Sequence, residues 1–209
     1  MPAESISGVE AGPFPILKDV LTKWIEVQDR LYQELAPDNA PWWYNERASI
    51  GSLAAAVWQC GGIAFEEYMT DKNARDAEHA AELIGGRGDI FFRIRQMRFR
   101  AEAKQVWGKL RGYRQHPFID RNLSIAVRDA QRRPAEQREH RIGILFLSPN
   151  IPKKFGGETN ERITAWVNIL RGINGTARAW TFPAEAREQL SEEEQNIYPG
   201  CAMLIKGER

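Results

Sequence analysis

The 209-residue chain has only two cysteines and three histidines, a scarcity that removes several chemistries. Cys60 and Cys201 stand among apolar or small residues, away from each other and from any histidine at metal-ligand spacing. They read as free thiols of an intracellular, cytoplasmic protein. His79, His116 and His140 make no H-E-x-x-H pair and no Cys/His zinc pattern. The phosphate loop G-x-x-x-x-G-K-[ST], the dinucleotide fingerprint G-x-G-x-x-G and the nucleophile elbow G-x-S-x-G are all missing. Long apolar runs are missing too: SLAAAVWQCGGIAF and IGILFL fall well short of the ~20 residues of a membrane-spanning helix. The opening MPAESISGVEAGPFP has neither a basic start nor an apolar stretch, so it reads as a polar lead-in without a signal peptide. Hydrophobic residues make up 43% and charged residues 27%, the balance of a soluble globular domain and not of a membrane or disordered chain.

What is present is charge in an uneven arrangement. The formal net charge is +1, yet Arg93 to Arg141 holds fourteen Lys/Arg against five Asp/Glu, a local +9. The later PAEAREQLSEEEQ is acidic. A basic middle suits a phosphate backbone, and it equally suits a solvated helix face.

Hydrophobic spacing orders the elements. Leu17, Val20, Leu21, Trp24, Val27, Leu31 and Leu35 form a helical stripe that ends at APDNAPWW. A second helix is predicted from Asn45 through Ile50, Leu53 and Val57, stopped by Gly61–Gly62. IAFEEYMTDK, DIFFRI and MRFRAEAKQV are predicted strands, with NARDAEHAAELIGG a polar connection carrying a helical turn or two. DRNLSIAVRDAQRR is a basic helix ended by Pro134, and RIGILFLSP reads as a strand covered on both faces. ETNERITAWVNILRGIN is predicted helical, with Thr159 or Asn160 as cap and Gly172 or Gly175 as stop; TARAWTFP and GCAMLIKGE close the chain as strands. The order predicts an α/β fold with a mixed central sheet flanked by helices. Residues 1–40 are expected as a lead-in and helical extension packed on a domain spanning 41–209.

Residues 86–107, GRGDIFFRIRQMRFRAEAKQVW, admit two readings. Ile90, Ile94, Met97 and Ala101 have helical spacing, and RIRQM offers no Gly, Asn, Asp or Pro for a turn. Against this, residues 97–104 alternate strictly between apolar or small and charged residues, and IFF is poor helix material. Two strands are the preferred reading. Glu102 and Lys104 then project from one face, and Asp89 on the neighbouring strand comes alongside them. Two carboxylates with a backbone carbonyl and waters make an oxygen-rich site suited to Mg²⁺ or Mn²⁺, and a lysine beside them can serve the attacking water or a pentacovalent phosphate.

Asp89, twelve residues and then Glu102-Ala103-Lys104 resembles the D…(D/E)-x-K signature of the PD-(D/E)XK nuclease superfamily. The order helix, three strands, helix, strand over roughly 45–150 is similar to that superfamily's restriction-endonuclease-like core. The resemblance implies a metal-dependent nuclease with Asp89 and Glu102 on the metal and Lys104 at the water. It also implies a glutamate from the preceding helix. Glu46 matches, with Glu66 and Glu67 as alternatives, and Gly88 replaces the proline before the aspartate.

Other candidates carry competing structural readings. Trp42, Trp43 and Tyr44 suit base stacking or, more often, core packing. Lys153 and Lys154, in a loop after a strand, are phosphate contacts or a solvated surface. Arg121, Arg128 and Arg132 lie on one helix face and track a backbone or solvent. Gln105 orients water or packs at a strand edge. Asp89 alternatively caps a turn, Glu102 and Lys104 form an exposed pair, and Glu46 stabilises a helix N-terminus.

The expected function is metal-dependent hydrolysis of phosphodiesters in nucleic acid, DNA before RNA, with a protein partner or homodimer to aid specificity and no membrane association. The alternatives are a catalytically inactive nucleic-acid-binding or subunit-assembly module of the same fold, and a helical adaptor if residues 87–111 form one helix.

Overall fold

A computed structural model describes residues 4–73, 83–109, 116–132, 139–191 and 195–207. Residues 86–107 form two strands and a turn, not a helix. The elements in order are β1 (Ile6–Glu10), α1 (Lys18–Leu35), α2 (Glu46–Gln59), β2 (Ile63–Asn73), β3 (Leu83–Ile94) and β4 (Met97–Lys109). Then come α3 (His116–Gln131), β5 (Glu139–Pro152), α4 (Thr159–Arg171), β6 (Thr176–Phe182), β7 (Leu190–Ser191), β8 (Asn196–Ile197) and β9 (Cys201–Gly207).

The main sheet runs β1-β6-β9-β5-β4-β3-β2, with β7 and β8 appended to the end of β5. β4 and β5 are parallel and joined through α3, whereas the other neighbours are antiparallel. The mixed sheet predicted from the element order is therefore present. β1 is the correction: the polar lead-in contains an edge strand, because Ile6 and Val9 pair with Phe182 and Ala179 of β6. Of the polar connection expected at residues 73–86, Asn73 belongs instead to β2 and residues 83–86 to β3, whose ladder extends through them, while 74–82 lie outside the described residues. β2 and β3 are thus both longer than the runs IAFEEYMTDK and DIFFRI.

Strand alternation divides the interior into two cores. On one face Phe99, Ala101 and Ala103 of β4 and Ile142, Ile144 and Phe146 of β5 pack with α1 and α2. On the other, Leu145 and Leu147 of β5 and Leu204 of β9 pack with Ile119 and Leu123 of α3 and Trp166 and Leu170 of α4. β5 is buried from Ile142 to Ile151, as a strand covered on both faces must be. Among the described residues no helix is long and apolar enough to cross a membrane.

Local chemistry explains the ends of the elements. Asn45 caps α2 by accepting from the Ala48 N–H at 3.3 Å. At the other end Gly61 takes φ +73°, and the N–H groups of Gly61 and Gly62 return to the carbonyls of Trp58 and Val57. This is the reciprocal closure that a left-handed glycine permits. Thr159 does not cap α4. It is the first helical residue, Glu158 precedes it, and its hydroxyl donates to Gly156 O. Gly172 does end that helix.

The β3–β4 turn is two residues, closed by Ile94 opposite Met97. Arg95 supplies the left-handed conformation at φ +54° that glycine or asparagine would supply more cheaply. Arg95→Gly is expected to stabilise the protein by a few tenths to about 1 kcal/mol, read as a higher urea midpoint at unchanged slope.

Candidate active site

The β3–β4 ladder stops at Ile90 opposite Ala101, although both strands continue beyond it. Past that point the edge of β4 facing β3 has N–H groups without ladder partners, and a carboxylate takes one of them. Asp89 Oδ2 accepts from Ala103 N at 2.7 Å. Two residues on, the backbone N–H of Gln105 acts on the Glu46 carboxylate in favour of its ionised form. The separating hairpin thus sets one acid from β3 onto β4, with one from the first turn of α2 nearby.

Glu102 and Lys104 project from the α3 face of β4, opposite to Ala101 and Ala103. Glu102 is 5% exposed, a nearly complete burial that a surface strand charge does not have. Lys104 Nζ donates to the Ala103 carbonyl at 2.8 Å and stands 3.8 Å from Asp129 of α3. The alternation of residues 97–104 did indicate the face, but α3 decides the surroundings. α3 lies close to β5 because Gly143 is opposite Glu102 in the register: a Cβ there would sit 2.3 Å from Val127 N.

Glu46 lies near both Asp89 and Lys104. Burial raises its carboxyl above the ordinary value of 4.5; the Asp89 and Glu67 charges push the same way, and Lys104 and the Gln105 N–H oppose them. The sign follows: the native state holds this proton more tightly than the unfolded chain does. Ionised Glu46 therefore costs stability above its folded pKa, and the cost vanishes as pH falls below 4.5. Glu46→Gln is expected to raise the urea midpoint at neutral pH and to lose that advantage towards pH 4. Denaturation of both proteins across this range checks it.

Of the alternative upstream acids, Glu66 lies on the α2 side, where its Oε1 would be 3.8 Å from a Cβ at Gly51. Burial and then the Glu67 charge raise its carboxyl. Glu67 meets Arg47 Nη2 at 3.5 Å and Arg87 Nη1 at 3.4 Å. Its φ is +50°, and its pairing with Asp89 is the one step missing between Glu66–Ile90 and Tyr68–Gly88.

Gln105 is more than strand-edge packing. Its side chain accepts from Ser49 Oγ at 3.0 Å and donates to Tyr44 O at 2.7 Å and Ser148 Oγ at 3.4 Å. It ties β4 to the start of α2 and to β5. Neither Asp129 nor this hydroxyl network has a signal in the local sequence pattern, because each depends on which strand lies beside β4.

The remaining candidates lie outside this cluster. Arg121 and Arg128 are exposed along α3, and Arg132 just beyond it is half-buried and engaged. Lys153 and Lys154 are exposed in a 3-10 segment beyond β5, Lys153 reaching Gln195 Oε1 at 3.4 Å and Lys154 lying 5.0 Å over the Phe155 ring. Trp42 is core: it stacks on Tyr32 at 5.2 Å, and its indole N–H donates to Tyr198 O. Trp43 is half-buried against Tyr198, while Tyr44 is exposed.

Among the described residues no three His, Cys, Asp or Glu side chains are grouped to hold a metal ion. The carboxylates of Asp89, Glu102 and Glu46 are hard oxygen donors, which suit Mg²⁺ or Mn²⁺ in kind. No protein-family model matches the chain, and no similar protein was found among curated proteins or solved structures.

Proposed function

We propose that this chain is a metal-dependent nuclease that hydrolyses phosphodiester bonds in nucleic acid, DNA before RNA, on a restriction-endonuclease-like core. One observation carries the reading. α2, β2, β3, β4, α3 and β5 follow one another with β4 and β5 parallel, and past the end of the β3–β4 ladder Asp89 meets the Ala103 N–H, Lys104 meets the Ala103 carbonyl, and Glu46 lies within electrostatic reach of Asp89 and Lys104.

In this reading Asp89 and Glu102, with Glu46, hold Mg²⁺ or Mn²⁺. When bound, the ion supplies an acidified water and charge neutralisation at the phosphodiester. Lys104 places an ammonium group beside the Ala103 carbonyl, where it orients the attacking water or stabilises the oxygens of the pentacovalent phosphate. Asp89 accepts from Ala103 N and so holds β4 in register at the point of separation.

The test is incubation of the purified protein with plasmid, linear duplex and single-stranded DNA in Mg²⁺ or Mn²⁺, with a chelator control. Chelator-sensitive cleavage is expected. The ungrouped acids favour one second reading, a non-catalytic nucleic-acid-binding module. No cleavage together with tight, salt-sensitive binding would support it.

A further inference from the structure

The part of the sheet beside the candidate site that α3 leaves open has its own chemistry. α3 packs on β5, β4 and β9. Beyond β4, the same face of β3 and β2 carries Phe91 and Arg93, with Phe65 directly opposite Phe91. Phe65 is 55% exposed and its ring lies 6.4 Å from Phe91.

Tyr68 also reaches Phe91, at 6.0 Å. Phe65 and Tyr68 are three residues apart, a spacing that puts side chains on opposite faces of a regular strand. The left-handed backbone of Glu67 between them breaks the alternation and brings both rings to Phe91. A glutamate at φ +50° is strained, and such strain persists where the surrounding structure requires it. Here it assembles an aromatic cluster in which Phe65 is exposed and Phe91 and Tyr68 are half-buried.

The next pair along the hairpin is Arg93 opposite Arg98, both exposed and without a carboxylate partner among the described residues. Like charges directly opposite on a strand pair repel, and an anion between them relieves the repulsion. Exposed rings with interleaved cations are the recognition chemistry of unpaired bases on a phosphate backbone. A duplex shows its bases only edge-on in its grooves and has no faces for such rings.

We infer that Phe65, Phe91 and Tyr68, with Arg93 and Arg98, form a platform for single-stranded nucleic acid, which leads an unpaired strand to the separating end of β3 and β4. The inference gives the proposed nuclease its substrate class and rests on that reading only for what happens at the strand's far end.

Binding without cleavage separates the two. The full chain, in chelator, is titrated against fluorescein-labelled oligodeoxythymidine of about 15 nucleotides, near the upper site size of single-strand-binding folds. An oligouridine and a hairpin duplex of equal length are run beside it. Phe65→Ala is expected to weaken single-strand binding by about five- to hundredfold, the loss of one base–aromatic stack. Arg93→Gln with Arg98→Gln is expected to weaken it and flatten its salt dependence. Trp58→Ala, an exposed tryptophan on α2, is expected to change nothing. The DNA and RNA arms show which strand is preferred. Equal affinity for the duplex, or a Phe65→Ala protein that melts like wild type and binds like it, overturns the platform. Phe65-dependent binding without cleavage in any metal would uphold the platform and remove the nuclease.

Discussion

Lys104→Ala is expected to lower metal-dependent cleavage by about 10²–10⁴-fold, the span of a positioned proton-transfer or charge-stabilising group. Its effect on stability should be small. Lys104 is about one-third exposed, and its ion pair with Asp129 is long at 3.8 Å. Pairs of that kind contribute roughly 0–1 kcal/mol. Glu102→Ala should abolish cleavage as fully but is the poorer probe, since it empties a site 5% exposed and also disturbs packing beneath α3. Single-turnover cleavage measured beside thermal melting therefore reads chemistry for Lys104 and a mixture for Glu102. Cleavage by the Lys104→Ala protein at the wild-type rate, with the metal requirement intact, would place the active centre elsewhere on the chain.

Gly143→Ala is expected to be the most destabilising single-methyl change in the sheet. The new Cβ would lie 2.3 Å from Val127 N and 2.7 Å from Ala126 C, both backbone atoms of α3. No flexible side chain is there to swing aside, so the helix must lift from β5. That withdraws Ile119 and Leu123 from their core and moves Asp129 away from Lys104. Overpacking of this kind costs about 1–3 kcal/mol, and a backbone contact belongs at the upper end. In a domain of this size each kcal/mol lowers the melting temperature by roughly 2–4 °C. Urea and thermal midpoints measure the loss, and a Gly143→Ala protein as stable as wild type would show that α3 does not rest on β5 as described.

The register of the sheet was only partly legible in the sequence. The period of two from Met97 to Lys104 gave β4 and the shared face of Glu102 and Lys104, because alternation is a local property. The apolar run at RIGILFLSP likewise gave a strand buried on both sides. β1 was not legible: Ser7, Gly8 and Glu10 are poor strand formers, and only pairing with β6 makes Ile6–Glu10 a strand. The β3–β4 turn was concealed for a similar reason. Arg95 carries no turn signal, and the long ladders on both sides hold it in a conformation it does not prefer.

The sequence by itself determined an α/β chain, the order of its core elements, and the acids and lysine that a phosphodiester site would need. Spacing along a helix or strand is written in consecutive residues. The tertiary structure alone decided that β3 and β4 part after Ile90, so that Asp89 takes the N–H of Ala103 and Glu46 comes near Asp89 and Lys104. It also set α3 against Gly143, buried Glu102, and turned Glu67 so that Phe65 and Tyr68 meet Phe91. Each of these depends on where strands stop pairing and which backbone lies within a few ångströms, and those contacts join residues far apart in the chain.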